Sequence, residues 1–321
     1  MSNFPDMVTQ FGGMPLGGGR YEAMWGNRVW FVDYDNGSSG NYGDKPGAAF
    51  KYLDTAISRS GHNDVIYIRP RSPELGAAGV GPYYGGDPGD ILPESTTNWT
   101  IPWTSYGLSV IGTGSGVGQA RASVTNLQGA SGATTSVLSL NAPFCYIENI
   151  GVKTGSSTTA LIKQKMANDS VTQAFHNSYY NVWFRNTGNA PGLIIDSGSY
   201  DVVDNCTFSG CHYGVIYQSY NAVPNAQVLS NCYFDNTAAG SYDDVSSTGG
   251  MTRALITGCN FNHAEPSGGG HSKYIYMATT STGLISSCYT GSSDATVATN
   301  FTLNGLTYAN CWALESFMVA A

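Results

Sequence analysis

From Phe144 onward, short alternations of apolar and polar residues recur around one fixed frame. Val203-Asp204-Asn205-Cys206-Thr207-Phe208 is followed by LSNCYF at 229–234, ITGCNF at 256–261, ISSCYT at 285–290 and the weaker YANCWA at 308–313. Upstream, IENIGV at 147–152 and YYNVWF at 179–184 keep the frame with an aliphatic residue in the cysteine slot. Equivalent positions are separated by as few as 23 residues (288 to 311) and as many as 32 (150 to 182). A self-similar unit of this length with an irregular period predicts a solenoid whose turns carry loops of variable size.

Each slot has a physical reason. The residue before the cysteine slot is Asn149, Asn181, Asn205, Asn231, Gly258, Ser287 or Asn310. Asn and Gly tolerate the left-handed conformation, so this slot predicts a tight bend between two strands. A bend resets the alternation, so the apolar residue two before it, the cysteine slot and the residue two beyond that slot all turn inward. Ile150, Val182, Cys206, Cys232, Cys259, Cys288 and Cys311 are therefore expected to form one buried, stacked column, in which cysteine acts as a small hydrophobe. This predicts an all-β, right-handed parallel β-helix. Cys145 and Cys211 fall outside the slot and read as loop or secondary-face residues.

Ahead of the repeat, strands are expected at 28–33 (RVWFVD), 64–69 (DVIYIR) and 108–112 (LSVIG). Residues 48–57 (AAFKYLDTAI) carry apolar residues at helical spacing after Lys45-Pro46-Gly47 and predict an amphipathic helix capping the solenoid. Residues 71–107, rich in Pro and Gly, read as a long surface loop. The apolar stretch 312–321 is expected to cap the last rung. The organisation is then an extended N-terminal arm at 1–26 and one domain at 27–321, with entry strand and helix at 27–70, the loop at 71–107 and rungs at 108–321.

Composition narrows the function. Charged residues are 11% of the chain and the formal net charge is −8, with no basic cluster. That argues against nucleic-acid binding and against a polybasic membrane patch. No stretch is apolar for long enough to span a bilayer, and the start does not read as a signal peptide, so assembly in cytoplasm is the expectation. The seven cysteines include no C-x-x-C pair and there is no H-E-x-x-H, so neither metal nor cofactor is expected. The arm has no periodicity and little charge. Its Phe4, Phe11, Met14, Leu16, Met24 and Trp25 would expose apolar surface if left free, and are expected to bind a partner.

The order of strand, Asp-Asn-Gly turn at 35–37, Pro46-Gly47, helix and Asp64-Val65-Ile66-Tyr67-Ile68 strand resembles the entry of the pectin-lyase-like β-helix superfamily. With the Gly-rich leader at 12–19, it resembles β-helix proteins of tailed-phage virions. That resemblance covers 28–70 and the rungs, and implies the fold. For function it implies two readings, because enzymes and inert virion parts share the scaffold. The first is a capsid decoration or cement protein that contacts the major capsid protein or other virion subunits as a homo-oligomer, expected to be a trimer. The second is a tailspike or fibre that binds or cuts host polysaccharide. Tailspikes usually carry a longer β-helix and further C-terminal modules, whereas this sequence stops about ten residues after its last rung, which favours the first.

A polygalacturonase-like set comes nearest in Asn236-Thr237-Ala238, Asp243-Asp244, Gly270-His271 and Lys273. The match departs where it matters. Ala238 stands where the family has an acid, Ser272 replaces the second Gly of Gly-His-Gly, and the Arg-Ile-Lys element is missing. The plainer reading is a solvated loop at 235–250 and a Gly-rich turn at 268–270, so no catalytic residue is assigned. His176, His212 and His263 read as polar surface or turn residues.

Overall fold

The computed structural model describes residues 10–11, 14–15, 28–71, 90–94, 97–114, 125–130, 134–153, 159–164, 175–185, 190–219, 222–235, 242–262, 271–290, 301–313 and 316–317. Three long sheets carry the fold. The first has ten strands, from Val29–Val32 and Val65–Ile68 through Tyr146–Glu148 and Val202–Asp204 to Leu306–Ala309. The second runs from Asp90–Ile91 through Ile150–Lys153 and Thr207–Ser209 to Trp312–Ala313, and the third from Trp99–Ile101 through Leu193–Asp196 to Phe301–Thr302. Successive coils pair in parallel; only the hairpin of Trp312–Ala313 with Ser316–Phe317 closes the second sheet antiparallel. This is an all-β right-handed parallel β-helix.

The register explains why the repeat looks as it does. Ile147, Tyr179, Val203, Leu229, Ile256, Ile285 and Tyr308 are successive partners in the first sheet. Beyond the bend, Val152, Phe184, Phe208, Phe234, Phe261, Thr290 and Ala313 are successive partners in the second. The bend residue between them is left-handed in every copy: φ is +52° or +53° at the five asparagines, +63° at Gly258 and +54° at Ser287. Its amide continues the ladder, as Asn205 donates to the Ser230 carbonyl (3.0 Å) and Asn231 to Thr257 (2.9 Å). Ile150, Val182 and the five slot cysteines are all buried in one core. Beside them Phe184, Phe208, Phe234 and Phe261 stack at 4.5, 4.8 and 5.0 Å between centroids.

Several expectations need correction. The helix is Leu53–Arg59, starting later than residue 48. Residues 49–50 are extended instead, because Phe50 bridges Val32 and exchanges backbone hydrogen bonds with Phe31 and Asp33 (2.8 and 2.9 Å). Leu53, Ala56 and Ile57 are buried, covering the first coil. The long loop expected at 71–107 is interrupted by Asp90–Ile91 and Trp99–Ile101, which enter the second and third sheets and bury Ile91, Trp99 and Ile101. Cys145 and Cys211 do lie in connecting segments outside the strands, but they are core residues, 1% and 0% exposed. In the arm, Gln10–Phe11 pairs with Met14–Pro15. Phe4, Leu16, Met24 and Trp25 lie outside the described residues, and only the backbone of Phe11 and Met14 is described.

Candidate functional site

The acidic pair Asp243-Asp244 is the nearest approach to a catalytic set, and the third sheet holds it. Tyr242–Ser247 pairs with His271–Met277, making Asp243 and Lys273 register partners after an irregularity at 242/243. The pair is not in a solvated loop: Asp243 is 8% exposed and Asp244 fully buried. Burial, then the neighbouring Asp244 carboxylate, push Asp243 up to about 6, against hydrogen bonds from Ser246 and Lys273. The backbone beside the pair is closely packed. A Cβ on Gly214 of the preceding coil would lie 2.7 Å from the Asp244 carbonyl oxygen and 2.4 Å from the Phe234 ring. The backbone of His271 pairs with Tyr242, while its side chain, residues 236–238 and residues 268–270 lie outside the described residues.

A second buried acid was missed by sequence reasoning. The turn that leads into the first sheet also holds a left-handed residue in coil after coil: Asn63, Gly107, Phe144, His176, Tyr200, Ala226 and Arg253. The residue after each turns inward, giving a buried column of Asp64, Leu108, Cys145, Asn177, Asp201, Gln227 and Ala254. Polar members satisfy one another along the axis. Asn177 Oδ1 accepts the Cys145 amide (2.7 Å), Asp201 accepts the Asn177 amide (2.9 Å), and Gln227 Nε2 donates to Asp201 (3.0 Å). Gln164 joins Asp201 from the third sheet and accepts a hydrogen bond from the Tyr179 hydroxyl (3.0 Å). Burial outweighs these bonds and raises Asp201 to about 7. Only Asn63 and Gly107 are residue types that signal such a bend; the Phe, His, Tyr, Ala and Arg of the later coils give no consistent signal.

The remaining candidates are structural in their surroundings. All seven thiols are free and buried. Slot cysteines donate to carbonyls, as Cys232 does to Ser230 (3.2 Å), and burial pushes Cys232 up and Cys145 to about 12. Inaccessible thiols are poor nucleophiles and poor metal ligands. Among the described residues no three His, Cys, Asp or Glu side chains are grouped to hold a metal ion, and no helix is long and apolar enough to cross a membrane. His176 is exposed, whereas His212 is buried rather than on the surface, and burial lowers its pKa. His263 lies outside the described residues. A cleft of about 310 Å³ beside the capping helix is lined by Asp54, Asn98 and Trp99. Their polar atoms are engaged internally, Asp54 Oδ2 by the Trp99 indole (3.1 Å) and Asn98 by Ala130 and Thr135.

No family model matches the chain, and no curated protein matches it. Solved structures do. A rhamnogalacturonan lyase superposes with TM-score 0.52 at 14% identity, over 82% of this chain and 68% of that one. Pectate lyase Pel9A gives 0.48 at 12% identity, over 92% and 79%. ORF18 of Geobacillus virus E2 gives 0.37 at 14% identity, over 85% and 58%. At these identities the likeness is one of fold: the chain shares its parallel β-helix with polysaccharide-acting enzymes, and one similar structure is a viral open reading frame product.

Proposed function

We propose that this chain is a structural protein of a tailed-phage virion, a capsid decoration or cement protein whose solenoid is inert and whose arm at 1–26 docks on the major capsid protein or another virion subunit. The observation that supports this best is the burial of Asp243 and Asp244. A glycan laid along the solenoid must meet its acid or base at the surface, and both of these residues are buried. The resemblance of the entry segment and Gly-rich leader to phage virion β-helices supports the same reading. Self-association as a homo-oligomer, a trimer in the simplest form, belongs to it.

One observation favours the tailspike alternative: Asp243, raised to about 6, has the proton affinity of a general acid. Two measurements separate the readings. Deleting residues 1–20 should abolish incorporation into particles while leaving the solenoid folded; normal incorporation removes the arm from the account. Host polysaccharide incubated with the protein, with and without calcium, should release neither reducing ends nor unsaturated products. Cleavage that Asp244→Asn abolishes would establish the tailspike instead.

A further inference from the structure

The two left-handed bends provide an internal comparison. Between the first and second sheets, the seven coils from Ile147 onward use Asn, Gly or, once, Ser, and Asn and Gly adopt positive φ at least cost. At the bend entering the first sheet, three consecutive coils place Phe144, His176 and Tyr200 there, at φ +60°, +56° and +59°. Bulky residues at positive φ are strained, and that strain persists where something else is gained. The turn itself does not require them, since Asn63, Gly107 and Ala226 serve at the same position in other coils. Nor does the core, because these side chains point outward: Phe144 and Tyr200 are 51% and 45% exposed.

The result is a row of outward rings along the solenoid axis, in two stacks. Bend backbones bond coil to coil, Asn63 to Tyr106, Gly107 to Pro143, Phe144 to Phe175, His176 to Ser199 and Tyr200 to Asn225. Outside them His62 stacks on Tyr106 (3.9 Å), and His176 stacks between Phe144 (5.3 Å) and Tyr200 (4.7 Å). From His62 to Tyr200 is four coil steps, about 19 Å at about 4.8 Å per step. Tyr106, 37% exposed, belongs to the same row, and Arg253, over the Tyr200 ring, ends it. At roughly 150–250 Å² for a whole aromatic side chain, Tyr106, Phe144 and Tyr200 leave about 270 Å² of apolar side chain in water.

From this ridge we infer that the bend entering the first sheet is a self-association surface, occupied by the same ridge of a second copy of the chain. A glycan is disfavoured by the stacking: sugars pack on open ring faces, and the faces of His176 are taken by Phe144 and Tyr200, leaving edges outward. A second solenoid carries the same two stacks at the same coil spacing and so can match them along the axis. Charge points the same way. Copies carrying a net −8 repel, and the ridge is where they can approach, since no Asp, Glu or Lys stands among its bend residues. An apolar centre of about 270 Å² with a polar rim suits an ordinary interface of about 800 Å² per partner.

The inference deepens the homo-oligomer part of the proposed function and requires no virion. Its test therefore contains only the purified full-length chain, and its failure leaves the particle experiments unaffected. Sedimentation velocity over a concentration series compares the wild type with the double variant Phe144→Asn/Tyr200→Asn. Asparagine suits the left-handed bend, so the variant should melt no lower than the wild type while self-associating at least tenfold more weakly. A wild type that stays monomeric, or an oligomer that the double variant leaves unchanged, overturns the inference. If the double variant fails to fold, p-benzoylphenylalanine placed at Tyr200 decides. Photo-crosslinked dimers joined at the same bend of the second chain support it; exclusive crosslinking to a different protein when particles are added, or none at all, refutes it.

Discussion

Truncating Phe234 to alanine removes the middle ring of the phenylalanine stack. The ring is fully buried, lies 4.8 Å from Phe208 and 5.0 Å from Phe261, and packs over Gly214, where no side chain can move in to fill the space. Phe→Ala in a core costs about 3–5 kcal/mol, and each lost aromatic pair lies within that range at about 0.5–1.5 kcal/mol. With two pairs lost and parallel coils fixed by register, the site cannot collapse, so the upper part of the range, about 4–5 kcal/mol, is expected. Phe234→Leu keeps most of the volume and should cost less than half as much. Tyr42→Ala, at a residue 81% exposed, should stay within about 0.5 kcal/mol. Urea unfolding followed by tryptophan fluorescence gives the three values. Because a solenoid can open coil by coil, amide hydrogen exchange on the strand Tyr233–Asp235 should be read alongside. A loss under about 1 kcal/mol for Phe234→Ala would refute the stacked-core account.

Asn205→Ala should cost about 1–2 kcal/mol, the penalty for an ordinary residue in the left-handed region, and Asn205→Gly much less; equal effects would contradict a bend set by backbone conformation. Asp201 sits at about 7 when folded against an ordinary 3.8, so the folded state holds its proton more tightly than the unfolded one. Its contribution is therefore fully present below about pH 4 and is lost as pH rises through about 7, by at most about 4 kcal/mol. Unfolding free energy measured from pH 4 to 8 should fall less steeply in Asp201→Asn than in the wild type, and parallel profiles would count against a buried, proton-holding Asp201. A thiol-reactive disulfide reagent should modify none of the seven cysteines in the native protein and all seven in denaturant; rapid native labelling of a slot cysteine would show that the column is open.

The first bend was legible because its residue types state their conformation. Asn149, Asn181, Asn205, Asn231 and Asn310 announce a left-handed turn, and the apolar residues on either side then fall inward in a countable frame. The second bend repeats just as regularly in space, but after Asn63 and Gly107 it is written in Phe144, His176, Tyr200, Ala226 and Arg253, a run too mixed to read as a left-handed turn. With that bend hidden, Cys145 looked like a loop residue and Asp201 had no reason to be noticed. The strands Asp90–Ile91 and Trp99–Ile101 were obscured by Pro and Gly around them, although Ile91, Trp99 and Ile101 are what the first full coil needs inside. Asp243 and Asp244 show the limit of local polarity as a guide: two adjacent acids read as solvated, yet the following Val245 is fully buried and draws the strand into the third sheet.

The most direct test of the structural role is the copy number of this chain in purified particles, by quantitative mass spectrometry against the major capsid protein. A decoration protein should be present in fixed proportion to the capsid lattice. A number matching the few sites of a tail, or absence from the particle, would contradict the account.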